Sequence, residues 1–305
     1  MYIPTSYYRR KALAALKNHW QTALLIALLV NLPTLLMQGF SAFTGNDPVN
    51  QLQSVIVGAS RDGVLTEQLV LNQVRAFLNS TSFWTIRGLE LVAWLITPCL
   101  SLGMYKWMIG RLRGQEAEPV SVVFSRVGLF FKAIGLKLLI ILKVILWMLP
   151  GIAATVSVMI PVIRAGNTQA QLAALQSGNS MMLPATLLTV IPAVMAALRY
   201  ALSNYVMADR PESRILGCIR RSKELMKDQK KNLFFLLTSF LLWYLLELLI
   251  SSFLTGVLSL VFQMLAGLAL SVYLYTSVAA FWLHLEEADA KHENPNAEPA
   301  PEELN

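Results

Sequence analysis

Charge is what this chain has least of. Asp, Glu, Lys and Arg make up 14% of its 305 residues, against about 25% in an ordinary soluble domain, while apolar residues reach 55% and the mean hydropathy is +0.54. A globule of this composition cannot cover itself with polar groups, so a water-soluble fold is excluded and lipid is the solvent to consider. Cysteine is nearly absent too: Cys99 sits in an apolar run and Cys218 in a basic segment. Two such residues exclude a disulfide framework, and neither has the sequence neighbours of a metal ligand or nucleophile. Histidine is confined to His19, His284 and His292, with no H-E-x-x-H arrangement for a metal. There is no G-x-S-x-G elbow and no phosphate-cradling Gly-x-x-x-x-Gly-Lys loop. Ser222 beside Lys223 reads as a helix surface rather than a nucleophile with its base. The expectation is a protein that is not an enzyme and takes no cofactor.

What is present is a series of long apolar runs. A helix crossing a hydrocarbon core of about 30 Å needs about 20 apolar residues, because it rises about 1.5 Å per residue. Runs of that length fall at 20–42, 88–109, 143–163, 184–208, 232–254 and 258–284. The first follows Arg9, Arg10, Lys11 and Lys17, is long for a signal sequence and lacks an A-x-A site, so it is expected to stay as an uncleaved first helix. The expected fold class is all-α: a polytopic membrane protein with about six transmembrane helices plus in-plane amphipathic helices. Residues 1–285 form one transmembrane domain and 286–305 a disordered acidic cytoplasmic tail.

Lys and Arg fix the orientation, since cationic loops stay on the cytoplasmic side. With the N-terminus inside, every Lys and Arg lies in an inner segment except Arg61, Arg75, Arg87 and Arg164 outside and Arg199 within a crossing. Five or seven crossings would break that alternation. Both termini are therefore expected in the cytoplasm, with the chain multi-pass in the plasma membrane of a bacterium.

The densest charge, residues 210–231, is the second inner loop. Asp209 and Glu212 have capping-box spacing with Pro211 in the first turn, and Ile215, Ile219, Ser222 and Met226 share one helical face. Such a helix is either a solvated topology signal or an interfacial one whose cations meet anionic headgroups. The candidate lipid contacts are Arg214, Arg220, Arg221, Lys223, Lys227, Lys230 and Lys231. Interleaved aromatics are missing, so nucleic acid is not an expected partner. A second amphipathic stretch, Pro119 to Leu142, is read either as an in-plane helix or as a longer third crossing beginning near Ile134, with Lys137 and Lys143 snorkelling. Outside, 64–78 has helical spacing and 164–183 is polar; the Asn79-Ser80-Thr81 sequon has meaning only in a secretory pathway.

Charges inside crossings are expensive and are functional candidates by default. Glu90, Arg199 and Glu247 qualify. Arg199 and Glu247 either pair across crossings four and five or snorkel to opposite faces. Pro150, Pro161, Pro184 and Pro192 interrupt crossings three and four, either as plain kinks or as breaks beside a substrate. The candidate intramembrane polar site is Arg199, Tyr200, Asn204, Tyr205 and Glu247. Small-residue spacings at Ser252 and Gly256, and at Gly267 and Ser271, permit close helix contact within the chain or with a membrane-protein partner. The expected role is a non-enzymatic envelope or accessory component. A transporter or permease-like subunit for a small or amphiphilic solute is the alternative.

"YALSNYVMADRPE", "RRSKELMKDQKKNLFFL" and "SFLLW", with "ALKNHW" near the start and "YTSVAAFWLHL" near the end, carry a resemblance. They resemble the bacterial integral membrane proteins of the domain of unknown function 975 family, most specifically at Tyr200, Tyr205, Asp209, Pro211, Ser222, Met226 and Trp243. The stretch between Trp147–Gly151 and Tyr200 departs from that pattern and is read as an inserted hairpin in a divergent member. The resemblance implies a membrane topology and no chemistry.

Overall fold

The computed structural model describes residues 4–44, 72, 75–76, 79–116, 118–164 and 168–293, and all the regular structure among them is helical. Helix α1 (Thr5–Leu16) buries Tyr8, Ala12 and Leu16, one face at intervals of four. Asn18 then turns the chain with a left-handed φ of 66°, and α2 (Trp20–Thr44) begins the apolar run. The device recurs later. Amphipathic α7 (Ile215–Leu225) buries Cys218, Ile219, Ser222 and Leu225, Asp228 turns at φ 63°, and α8 (Lys230–Phe253) follows. Asn and Asp are the non-glycine residues that tolerate this conformation best, which suits them to a tight turn from an amphipathic helix into an apolar one.

Between these units lie α3 (Thr81–Leu112), a 3₁₀ helix (Val120–Leu129), α4 (Phe130–Arg164), α5 (Thr168–Tyr200) and the short α6 (Ser203–Asp209). The last helix, α9 (Gly256–Glu293), starts at Gly256, whose φ of +59° reverses the chain just after α8. Among the described residues five stretches are long and apolar enough to cross a membrane: Trp20–Met37, Phe83–Leu112, Met181–Asp209, Lys230–Phe253 and Gly256–Ala290. Their apolar side chains do not fill one central core. Leu242, Leu248 and Leu183 are 72%, 65% and 69% exposed, and surfaces of that kind belong against acyl chains.

The buried side chains gather at one end. There α1, the C-terminal parts of α3 and α9, the 3₁₀ helix, α6 and α7 enclose Leu16, Trp107, Val123, Met207, Cys218, Met226, Phe281 and Trp282. The first and last helices meet in it: the Tyr8 ring lies edge-on to Phe281 at 5.2 Å and tilted over His284 at 5.9 Å. Two glycines allow close approaches. A Cβ on Gly103 of α3 would strike the backbone of Val123, so the 3₁₀ helix rests directly on α3. A Cβ on Gly151 of α4 would strike the backbone of Thr189 in α5, where those two helices cross.

The structure departs from the sequence-based expectations in several places. Residues 119–142 are not one helix: the chain winds as a 3₁₀ helix to Leu129, then runs unbroken through α4. The longer third-crossing reading of this stretch is nearer, with its start at Phe130. Helix α7 begins at Ile215 with no side-chain cap, so Asp209 and Glu212 form no capping box; Asp209 is engaged by Arg113 instead. Within 164–183, α5 is already helical from Thr168. Helix α9 carries past Leu285 to Glu293, and there Glu286 and Asp289 are paired with arginines. Residues 294–305, and almost all of the expected outer helix at 64–78, lie outside the described residues.

Candidate functional site

At the packed end the chain spends its buried polar groups on tying helices together. Arg113 in the turn after α3 forms a two-pronged ion pair with Asp209 of α6, N–O distances 2.5 and 3.1 Å, and lies 5.9 Å over the Trp282 ring. Arg126 of the 3₁₀ helix donates to the Ala208 carbonyl at 2.7 Å, and Lys132 of α4 to that of Pro211 at 3.0 Å. Cys99 Sγ donates to the Arg126 carbonyl. Arg221 of α7 reaches both Glu286 and Asp289 of α9, and Arg210 also holds Glu286. Burial works to lower the Arg221 pKa, yet the hydrogen bond that Arg221 donates to Asp289 and the charge of Glu286 outweigh it and the net shift is upward. Burial, with Tyr7 beside it, pushes the Tyr8 hydroxyl up to about 12. Burial likewise raises the Cys218 thiol.

Under this layer sits a cluster of rings. Tyr205 of α6 packs on Tyr105 of α3 at 4.6 Å and stacks with Trp282 of α9 at 6.5 Å, and its hydroxyl donates to the Tyr275 carbonyl at 3.0 Å. Tyr105 in turn lies edge-on to Tyr275. The arrangement is dense packing, with the buried Tyr205 hydroxyl satisfied by a backbone carbonyl.

This geometry divides the five residues expected to line an intramembrane site. Tyr200 and Tyr205 are buried in the packed end, and Asn204 is half-buried beside them. The Arg199 carbonyl accepts from Ser222 Oγ at 3.1 Å, which holds that turn of α5 against α7. Glu247 lies against Gly267 of α9, where an added Cβ would be 3.4 Å from Oε1. Among the described residues no ion pair joins Arg199 to Glu247: α5 ends at Tyr200, at the level of the amphipathic α7, while Glu247 is four turns into α8. Of the cationic candidates, Arg221 is committed to α9 and Arg220 pairs with Glu224 on its own helix at 2.9 Å. Arg214, Lys223, Lys227 and Lys231 are exposed and Lys230 is half-buried.

Polar cavities occur elsewhere. One of about 320 Å³ is lined by Thr34, Glu90, Trp94, Thr97 and Lys137. Lys137 lies 4.4 Å over the Trp94 ring, and Arg87 holds Glu90 at 2.5 Å. A second, about 660 Å³, is lined by Asn31, Thr34, Gln263, Ser271 and Tyr275 among others. Thr34 faces both. The sequence carried a signal for these in the lone polar residues of apolar runs, Asn31 and Gln263, but only packing shows that they converge. Among the described residues no three His, Cys, Asp or Glu side chains gather as metal ligands.

Five helices among the described residues are long and apolar enough to span a membrane, and with their apolar flanks they are the helices expected of a membrane-spanning protein. The family described as "Protein of unknown function (DUF975)" matches residues 3–289, and the chain belongs to that family. No curated protein and no solved structure matches it. Four of the residues that carried the resemblance tie the packed end together: Asp209 holds Arg113, the Pro211 carbonyl takes Lys132, Ser222 ties α7 to α5, and Met226 is fully buried.

Proposed function

We propose that the chain crosses the plasma membrane of a bacterium six times, with both termini in the cytoplasm, and acts without catalysis as an envelope or accessory component. The contact of Tyr8 with Phe281 carries this reading. Helix α1 precedes the first apolar stretch and Phe281 lies near the end of the last, so both ends of the chain share one face and the number of crossings is even. The five stretches counted above then require a sixth, and 143–163 within α4 supplies it. The cations of 210–231 fall on that same face, which supports its assignment to the cytoplasm. In-plane α1 and α7 close that face.

The test is cysteine labelling with Cys99 and Cys218 replaced by serine. Arg75→Cys reacts with a membrane-impermeant maleimide in intact cells, and Glu212→Cys reacts only after permeabilisation. The reverse pattern, or equal reactivity, overturns the topology. A second reading, a transport subunit for a small solute, is favoured by one observation: the two polar cavities share Thr34 on α2. It replaces the α5–α8 site expected from Arg199 and Glu247.

A further inference from the structure

Helices α5 and α8 run antiparallel, and between them opens a groove of about 750 Å³. The walls are Val190, Val194 and Leu198 with their neighbours on α5 and Phe234 and Phe235 on α8; among the described residues Lys230 and Lys231, the first residues of α8, are the sole polar side chains lining it. The cations lie at one end of the groove because α8 starts where α5 finishes. From Leu198 back to Val190 the apolar wall runs about 12 Å along the helix. Among the described residues neither lysine makes an ion pair, whereas Arg113, Arg210, Arg220 and Arg221 in the surrounding cationic region are all paired.

From this juxtaposition we propose that the groove is a binding site for one anionic phospholipid, its phosphate held by Lys230 and Lys231 and an acyl chain lying along Val190 to Leu198. The charge pattern selects this occupant. A free anion gains nothing from the apolar wall. A second helix docks best on small residues that let backbones approach, and this wall is built of Val, Ile, Leu, Met and Phe. A cation-headed mouth on an apolar trough matches an anionic headgroup on a chain. The proposal rests on the membrane reading but not on its orientation, so the cysteine-labelling result and the lipid result fail independently.

The experiment is native mass spectrometry of the full chain in detergent, titrated with phosphatidylglycerol and with phosphatidylcholine. Wild-type protein retains one phosphatidylglycerol about tenfold in preference. The K230Q/K231Q variant loses that preference, Val194→Trp loses retention of both lipids by filling the trough, and K223Q/K227Q, altered in the same cationic segment outside the groove, behaves as wild type. A parallel measurement avoids altering either lysine: excess phosphatidylglycerol, and not phosphatidylcholine, slows maleimide modification of Phe234→Cys. Preference surviving in K230Q/K231Q, preference falling equally in K223Q/K227Q, or a lipid-free dimer in place of the adduct overturns the proposal.

Discussion

Arg113 and Asp209 are 96 residues apart in the chain, and their side chains meet in a two-pronged ion pair that fastens α3 to α6. Asp209 is 16% exposed and Arg113 39%, so solvent screens the pair on one side only. Arg113→Gln and Asp209→Asn each lower stability by about 1 kcal/mol, read as a lower melting temperature in detergent. The exchange R113D/D209R recovers part of the loss if the pair itself is what matters; a double variant worse than either single one shows that it is not.

Arg221 predicts a behaviour of the last helix. It is the cation that meets both Glu286 and Asp289, and it is 23% exposed. Arg221→Gln leaves those carboxylates without that partner, and α9 beyond Leu285 becomes more susceptible to limited proteolysis. The change shows as faster appearance of a slightly shortened band, with the rest of the chain protected.

Gly103 and Gly151 each let a second backbone come close, one that of the 3₁₀ helix at the packed end and one that of α5. Gly103→Ala forces the Val123 backbone away from α3 and costs about 1–3 kcal/mol. Gly151→Ala separates α4 from α5 and costs a similar amount. Both are checked by thermal unfolding in detergent, and an unchanged melting temperature in either case refutes the close approach there.

Cys99 and Cys218 are buried at 2% and 0% exposure, and burial raises the Cys218 thiol further from its reactive form. Both resist maleimide at neutral pH in the folded protein and react after denaturation. Fast labelling of either in the native state contradicts its placement.

Thr34 tests the second reading of function. If the two polar cavities carry a solute, Thr34→Cys reacts with a small water-soluble thiol reagent and is blocked by a bulky one already in place. Absence of reaction in native membranes removes that reading.

The positions of the apolar helices were legible in the sequence because span length is set by bilayer thickness and by the rise of a helix, both local properties. Thus α2, α8 and α9 begin within two residues of their expected starts. The end of α9 is not legible in this way, because Glu286 and Asp289 look like the beginning of an acidic tail until Arg210 and Arg221, far back in the chain, are brought beside them. Helical rise leaves open whether Arg199 and Glu247 pair or snorkel to opposite faces, because rise says nothing of which way two helices lean or where each ends.

By itself, then, the sequence determined that this protein lives in lipid, roughly where its chain crosses, and which segments carry its cations, since each follows from local transfer cost and charge. Only the tertiary structure decided which polar side chains meet: Tyr205 under Tyr275, Asp209 on Arg113, Thr34 between two cavities, and Lys230 and Lys231 at the mouth of a groove. Those meetings depend on helix packing between residues distant in the chain, and no local pattern encodes them.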